Sequence, residues 1–294
     1  MAQSIGLVTK FQPILDEVYK QASLTARLDA PTKPVDFAGA NVVKIFTTNP
    51  IGLGTYSRTT GYPKGQVVGA WETLTLVTER GREFNIDRMD DEESLGMAFG
   101  TLVGEFIRTE VAPEVDAYRF AKYAGWSGIS TTTGATLSAS TILAAIDAAA
   151  LQLDEDEVPP EGRLLYVSST VNKFLEAAIT RMLGNEGNAD RRLRTLDGMT
   201  IIPVPQTRFY TAIDLDAGAG VDAGGYAKGG SAKDINFMLI HPTAVLQATK
   251  HANLKIFDPD ENQEMDTFLV QYRLYHDAFV YANKVDGVYL HKKA

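Results

Sequence analysis

The residues best suited to chemistry form an acidic cluster in the segment FNIDRMDDEES, which carries Asp87, Asp90, Asp91, Glu92 and Glu93. Clustered carboxylates can hold a metal ion or transfer protons. Here, however, a strand pattern gives way to a helical pattern, and acids in the first turn of a helix are stabilised by its unpaired N–H groups. Consecutive helical residues also point in different directions, so they converge poorly on one ion. We therefore interpret the cluster as the start of a helix that Asp90 or Asp91 caps.

The remaining candidate motifs are incomplete. The segment DPDENQEMD begins like an EF-hand loop, but Gln263 stands where the sharp turn needs glycine and Leu269 where the bidentate glutamate belongs. The glycine-rich stretch from Asp216 to Asp234 lacks the order of a phosphate-binding loop, and we expect a mobile loop there. The four histidines form no metal or catalytic motif, and the chain has no cysteine.

These patterns predict no catalytic residue, no metal site and no cofactor, so the protein is not expected to be an enzyme. The alternative is a carboxylate-based hydrolase that uses Asp87, Asp90 and Asp91, and it would require a bound divalent metal ion.

Composition narrows the function classes further. The chain has 294 residues, of which 45% are apolar and 22% are charged, and its formal net charge is −9. These values fit a soluble globular protein, and an acidic chain is not expected to bind nucleic acid strongly by neutralising phosphates. No apolar stretch is long enough to cross a membrane, and no signal peptide is expected. The segment DRRLRT either meets an acidic neighbour or a phosphate or simply faces solvent; its arginines are Arg191, Arg192 and Arg194.

The residue pattern in the first part of the chain predicts elements that project from the globular body of the protein. Residues 1–36 form an arm, in which Phe11 and Leu15 belong to a short amphipathic pattern. A strand follows over Asn41–Thr48, and then a long segment rich in glycine and proline. A loop this long is unusual inside a compact domain, so we predict an extended hairpin whose return strand spans residues 72–86. Its large side chains would be poorly buried in a monomer and need another surface to pack on, Tyr56, Tyr62 and Trp71 among them.

A long helix is predicted over residues 91–124, because apolar residues recur at intervals of three and four from Leu95 to Phe106. Pro113 lacks an amide donor and clashes with the preceding turn, so we expect a bend between Thr109 and Pro113. Three glycines at four-residue spacing admit close approach of another backbone or soften the helix; they are Gly96, Gly100 and Gly104.

The second half of the chain alternates helical and strand patterns over residues 137–252, which predicts an α/β domain. Strand patterns return in NLKIFD, TFLVQYRLY and GVYLHKK. We expect the strands before the long helix and after the α/β domain to share one sheet, which makes the α/β domain an insertion into an elongated platform.

Four segments together resemble the major capsid proteins of tailed bacteriophages, the Hong Kong 97-type family. They are REFNIDRMDDEES, EVAPEVDAYRFAKYAG, RLLYVSSTVNKFLEAA and ANLKIFDPDENQEMDTFLVQYRLYHDAFVYANKVDGVY. The resemblance covers nearly the whole chain and lies in the order of the parts more than in signature residues. It implies an α+β fold with an N-terminal arm, an extended β-hairpin called the E-loop, a long spine helix in a peripheral domain, and an inserted α/β axial domain.

The resemblance also implies a domain division. Residues 1–36 are the arm, 37–48 and 72–136 the peripheral domain with its spine helix at 91–124, and 49–71 the E-loop tip. Residues 137–252 are the axial domain, and 253–294 are peripheral-domain strands and the C-terminal tail. The implied spine-helix positions are Asp91, Gly96, Gly100, Gly104 and Pro113.

The implied function is that of a structural subunit that self-assembles through hexameric and pentameric capsomers into an icosahedral shell. That shell encloses packaged double-stranded DNA without strong specific binding, belongs to the virion and assembles in the bacterial host cytoplasm, with no membrane involved. The chain has no room for a fused scaffolding segment ahead of the arm, so a separate scaffolding protein is expected. A portal protein is expected as well, and the resemblance leaves open whether decoration proteins bind. An encapsulin-type nanocompartment shell is the alternative.

The implied contacts between subunits lie on the arm, the hairpin and the arginine-bearing loop: Phe11, Leu15, Tyr56, Arg58, Tyr62, Lys64, Trp71, Arg191, Arg192 and Arg194. Some members of the family crosslink a hairpin lysine to a neighbour's asparagine. Lys64 is the only lysine between Thr47 and Arg80, so it is the one candidate for such a bond, although no motif supports it.

Overall fold

The computed structural model describes residues 23–29, 41–49, 51–65, 68–89, 104–134, 136–182, 194–219, 223–262 and 265–293. The strands within these ranges are β1 (Val42–Asn49), β2 (Val68–Thr75), β3 (Thr78–Asp87), β4 (Ser130–Thr133), β5 (Leu164–Ser168), β6 (Thr195–Leu196), β7 (Met199–Val204), β8 (Ile213–Leu215), β9 (Tyr226–Lys228), β10 (Ile235–Ile240), β11 (Val245–Phe257), β12 (Thr267–Val280) and β13 (Val288–Lys292). The α-helices are α1 (Ala112–Ala124), α2 (Ile142–Glu155) and α3 (Ser169–Met182).

The first two strands form a hairpin of their own. β1 pairs with β2 in antiparallel register, from Val42 opposite Thr75 to Asn49 opposite Val68. The structure corrects the single return strand that we predicted over residues 72–86. β2 ends at Thr75, and β3 starts a different sheet at Thr78 because its hydrogen-bonding partner is β12.

A three-stranded antiparallel sheet in the order β11-β12-β3 forms the platform. Strands from before the long helix and from after the α/β domain therefore share one sheet, as the sequence predicted. The alternating apolar side chains of β3, Phe84 and Ile86, face a cluster that includes Val270 and Leu274 of β12. The chain segment before α1 covers this face with Ile107 and Val111, among other residues.

A six-stranded mixed sheet in the order β4-β13-β10-β5-β7-β6 forms the core of the α/β domain. Every residue of β5 and β10 is buried, as expected for central strands with both faces covered. Leu165 and Val167 point into one cluster, which also contains residues of α2 and α3. Leu164 and Tyr166 point into a second cluster, which contains Phe120 and Tyr123 of α1 among others.

Strand β13 differs from the prediction. We assigned residues 253–294 to the platform, but β13 hydrogen-bonds to β10 and β4 in the six-stranded sheet. The physical reason is burial: Val288, Tyr289, Leu290 and His291 are all buried. A strand buried on both faces is stable inside a sheet that has covers on both sides, as the six-stranded sheet has at β5 and β10.

The helix that ends in α1 contains a π-helical turn where we predicted a bend. Residues 104–106 are helical, Ile107–Val111 form a π-helix, and α1 follows with Pro113 in its first turn. A π-helical turn holds about one residue more than an α-helical turn. This extra residue accommodates Pro113, which has no amide hydrogen to donate to the preceding turn. The helix is described only from residue 104 onward, so Asp91, Gly96 and Gly100 lie outside the described residues. No helix in the described part of the chain is long and apolar enough to cross a membrane.

The glycine-rich stretch holds more order than we expected. β8 and β9 form an antiparallel hairpin, from Ile213 opposite Lys228 to Leu215 opposite Tyr226. Gly218, Gly224 and Gly225 have positive φ angles, so the connection uses backbone conformations that side chains rarely adopt.

Candidate inter-subunit surfaces and their anchors

The hairpin tip, residues 51–65, presents apolar side chains to solvent. Tyr56 is 56% exposed, Tyr62 is 84% exposed and Leu53 is fully exposed. Ser57 closes the turn, since its hydroxyl accepts the amides of Thr59 and Thr60, both at 3.2 Å. The turn sets the rings of Tyr56 and Tyr62 edge to face with centroids 4.9 Å apart. Aromatic rings that pack on each other and remain open to water need a further surface to become buried.

The shaft of the hairpin continues this exposed surface. Phe46 of β1 lies opposite Trp71 of β2, and their ring centroids are 5.1 Å apart. Trp71 is 64% exposed and Phe46 is 49% exposed. Gly69 lies under the Phe46 ring, because a Cβ atom at position 69 would stand 2.3 Å from Phe46 Cζ.

The hairpin base, formed by Val43, Leu74 and Leu76, is buried. These side chains pack with Leu246 and Phe279 on β11 and β12, among other residues. The same hairpin is therefore held by the body at one end and uncovered at the other.

A buried carboxylate anchors the described part of the arm. Asp116 of α1 is fully buried, and it accepts hydrogen bonds from the hydroxyls of Ser23 and Thr25, both at 2.8 Å. It also accepts the amides of Leu24 and Thr25, and Arg208 donates to it at 3.2 Å. These donors compensate the cost of burying the charge and fix where residues 23–29 meet the helix.

Two arginines of β3 hold the β8–β9 loop against the platform. Arg80 donates to the carbonyl oxygens of Asp216 at 2.6 Å and Gly225 at 3.1 Å, and Arg82 donates to that of Ala223 at 2.6 Å. Arg80 also pairs with Glu114 of α1 at 2.6 Å. A cavity of ≈ 400 Å³ lies between this loop, α1 and the platform, with Phe84, Phe106 and Tyr272 in its wall. Among the charged groups of its lining, Arg80 and Arg82 hold the loop and Glu114 is paired with Arg80.

The buried His276 of β12 is kept neutral. Burial, together with the positive charges of Arg119 and Arg80, lowers the pKa of His276 to about 3. Its ring lies edge to face with Tyr118 of α1 at 5.2 Å between centroids. Among the described residues its Nδ1 atom has no hydrogen-bond partner, so the side chain serves packing.

The remaining predicted positions are scattered. Arg58 and Lys64 are exposed on the hairpin tip, and Arg194 is exposed ahead of β6. A Cβ atom at Gly104 would meet nothing within 4 Å, so the described structure brings no backbone close to it. Outside the described residues lie Phe11, Leu15, Asp91, Gly96, Gly100, Arg191 and Arg192.

The acidic cluster is described only in part, because residues 90–103 lie outside the described ranges. Asp87 ends β3, and its Oδ1 atom accepts the amide of Met89 at 2.9 Å where a helical turn begins. Residues 258–262 of the acidic segment DPDENQEMD form a turn, and Arg88 lies 3.4 Å from Asp260 and 3.5 Å from Asp266. Among the residues that the structure describes, no group of three or more acidic or histidine side chains can hold a metal ion.

Two carboxylates organise the structure without belonging to any of the candidate chemical motifs, Asp116 and Asp277. Asp277 is the single acid in the run YHDAFVYA, whereas Asp116 lies in APEVDAYRFA near Glu114 and Arg119. A carboxylate at a position that the pattern marks as buried is a signal for a buried hydrogen-bond network. The partners of Asp116 and Asp277 lie far away in sequence, so the pattern alone does not identify them.

No protein-family model and no curated protein matches the sequence. The structure is similar to the capsid structure of cyanophage P-SCSP1u, with a TM-score of 0.63 and 14% identity over 88% of this chain and 85% of that one. It is similar to the mature capsid of bacteriophage PhiM1, with a TM-score of 0.59 and 14% identity over 87% and 83% of the two chains.

A third similar structure is a virus-like particle from Pyrococcus furiosus, with a TM-score of 0.55 and 11% identity over 94% of this chain and 95% of that one. Identities this low show the fold alone. The chain has the α+β Hong Kong 97-type capsid fold, and the predicted resemblance to tailed-phage major capsid proteins is confirmed at the level of the fold.

Proposed function

We propose that this protein is a structural, non-enzymatic subunit that self-assembles into an icosahedral capsid of a tailed bacteriophage. The observation that carries the proposal is the fold shared with a cyanophage capsid over 88% of this chain and 85% of that one. The exposed hairpin supports it, since the tip and shaft offer aromatic surface that a single subunit leaves uncovered. The partner of this surface is a second copy of the chain in a hexameric or pentameric capsomer.

In this proposal each predicted domain has its own role in the shell. The arm over residues 1–36 and the E-loop tip over 49–71 reach neighbouring subunits, the peripheral domain forms the platform, and the axial domain forms the capsomer centre. β13 joins the axial domain's sheet in this division. A separate scaffolding protein and a portal complete the assembly pathway in the host cytoplasm, and the finished virion encloses double-stranded DNA.

The charge of the chain supports enclosure of DNA without tight binding. With a formal net charge of −9, the subunit releases few counterions on contact with phosphates. A capsid whose inner surface binds DNA weakly lets the DNA move along that surface while it is packaged.

The test is assembly of matched variants. Wild-type protein, with its scaffolding protein if required, is expected to form shells that light scattering and negative-stain microscopy detect. A variant carrying Leu53→Ser, Tyr56→Ser and Tyr62→Ser is expected to stay unassembled, because the hairpin tip no longer gains from burial. Leu151→Ser is the control, since Leu151 is a 60% exposed apolar side chain on α2. Assembly of the hairpin variant at wild-type efficiency would contradict the proposal.

An encapsulin-type nanocompartment shell is the second candidate, favoured by similarity to the virus-like particle from Pyrococcus furiosus. The two candidates differ in content, since a phage capsid encloses a genome and a nanocompartment encloses a cargo enzyme. Nuclease-protected DNA in particles from the native source supports the phage capsid, and a co-purifying enzyme supports the nanocompartment.

A further inference from the structure

The connection between the hairpin and the platform is held by side chains of β12. We call Leu76 and Val77, which separate β2 from β3, the hinge. The Tyr275 hydroxyl donates to the carbonyl oxygen of Leu76 at 2.9 Å, and Asp277 Oδ2 accepts the amide of Val77 at 3.0 Å. The amide of Leu76 still bonds to the carbonyl oxygen of Asn41 at 2.8 Å, so the hairpin's own ladder reaches up to the hinge.

The hinge interrupts the main-chain ladders at a defined place. β3 pairs with β12 from Asp87 up to Thr78, which lies opposite His276. The next residue, Val77, would lie opposite Asp277, but its amide bonds to the Asp277 carboxylate and not to the β12 backbone. The Asp277 carboxylate therefore satisfies the backbone donor that the ladder leaves open at Val77.

The same carboxylate is tied to α1. Asp277 is 1% exposed, and its Oδ1 atom accepts the Tyr118 hydroxyl at 2.9 Å and lies 3.7 Å from Lys122 Nζ. Tyr118 in turn accepts a hydrogen bond from the hydroxyl of Thr78. Burial raises the pKa of Tyr118, so the phenol keeps its proton and remains a donor.

Two kinds of force therefore act at the hairpin base. Apolar contacts of Val43, Leu74 and Leu76 hold the base against the body, but burial of apolar surface has no preferred direction. The hydrogen bonds to the hinge are directional, because they weaken steeply when the angle at the donor departs from linearity.

We propose that Tyr275 and Asp277 form a latch that sets the angle at which the hairpin leaves the body. With the latch removed, the hairpin swings about Leu76 and Val77 while the β1–β2 ladder and the platform ladder stay intact. The latch is a property of the isolated subunit and goes beyond the shell function. Its test uses unassembled protein, so its failure is distinguishable from failure of the capsid proposal.

The experiment measures the hinge angle and the hinge hydrogen bonds separately. The chain has no cysteine, so spin labels placed through Thr48→Cys on β1 and Lys255→Cys on β11 report one distance without background. Hydrogen exchange of the Val77 amide reports its bond to Asp277, with the amides of β5 as an internal reference.

The latch variants are Tyr275→Phe, which deletes one hydroxyl, and Asp277→Val, which removes both carboxylate oxygens. Tyr289→Phe is the control, since it deletes a hydroxyl that bonds Thr132 at 2.6 Å in the other sheet.

We expect both latch variants to broaden the label distance distribution, and Asp277→Val to speed Val77 exchange by about tenfold or more while β5 keeps its protection. The control is expected to match wild type in both measurements. An unchanged distance distribution in folded Tyr275→Phe and Asp277→Val would overturn the latch. So would an equal loss of protection at Val77 and β5, because that result shows general destabilisation. If Asp277→Val does not fold, the distance distribution of Tyr275→Phe decides alone.

Discussion

At the tip of the β1–β2 hairpin, Leu53 and Tyr62 face solvent, whereas at its base Leu74 and Leu76 are buried against β11 and β12. Both ends use large apolar side chains on the same two-stranded element. The base completes its burial within the subunit, and the tip does not. This difference separates residues that stabilise the fold from residues whose apolar surface is available to another molecule, and the burial of each side chain predicts which effect its substitution has.

The largest effect on the free energy of unfolding is expected from Leu76→Ala. Leu76 is 1% exposed, so its truncation removes buried methyl groups and leaves a cavity, at a cost of about 2–5 kcal/mol. Leu53→Ala at the tip is the matched substitution and is expected to change stability by less than about 0.5 kcal/mol. Urea unfolding of the unassembled subunit measures both. Equal costs at the two positions would remove the distinction between base and tip.

The second effect is a dependence of stability on pH that originates beside the hinge. The pKa of His276 is about 3 in the folded protein and about 6.5 when unfolded, so the unfolded chain binds more protons between these values. Stability is therefore fully present above pH 6.5 and declines as the pH falls toward 3, by on the order of a few kcal/mol.

His276→Phe removes this titration and keeps a ring beside Tyr118. Its unfolding free energy is expected to fall less than that of wild type between pH 6.5 and pH 4. Parallel pH profiles of the two proteins would show that the histidine is not neutral in the fold. Tip substitutions such as Tyr62→Ser are expected to leave the wild-type profile unchanged, because Tyr62 is 84% exposed.

A third pair of effects is expected from two glycine substitutions. A Cβ atom at Gly287 would stand 2.6 Å from Ala244 Cβ in the core, so Gly287→Ala is expected to cost about 1–3 kcal/mol. A Cβ atom at Gly69 would meet the ring of Phe46, which is half exposed and can turn away, so Gly69→Ala is expected to cost less than about 1 kcal/mol. Thermal unfolding measures both, and a larger cost at Gly69 would show that the hairpin shaft is packed as rigidly as the core.

Much of the fold could be predicted from local patterns. The strand period over Phe84 and Ile86, the long glycine-rich insertion before it and Pro113 within a helical pattern are signals that reside in adjacent residues. They identified a hairpin, although with the wrong return strand, the strand character around Phe84 and Ile86, and the place before α1 where the helix is irregular.

The rest depended on contacts between distant residues. The change of sheet at Leu76 and Val77 follows from the pairing of Thr78 with His276, and periodicity does not reveal a partner strand. β13 has the pattern of a buried strand that suits either sheet, so its place in the six-stranded sheet could not be read from its own residues. Asp116 and Asp277 acquire their roles from donors that are far away in sequence.

The central claim is that this chain assembles into a closed shell through surfaces that the single subunit leaves exposed. Electron microscopy of concentrated wild-type protein, with its scaffolding protein if required, tests that claim most directly. We predict closed icosahedral particles with density at the hairpin tip contacting a neighbouring subunit. A protein that remains monomeric under all these conditions, or a shell in which the hairpin tips touch no neighbour, would contradict the account.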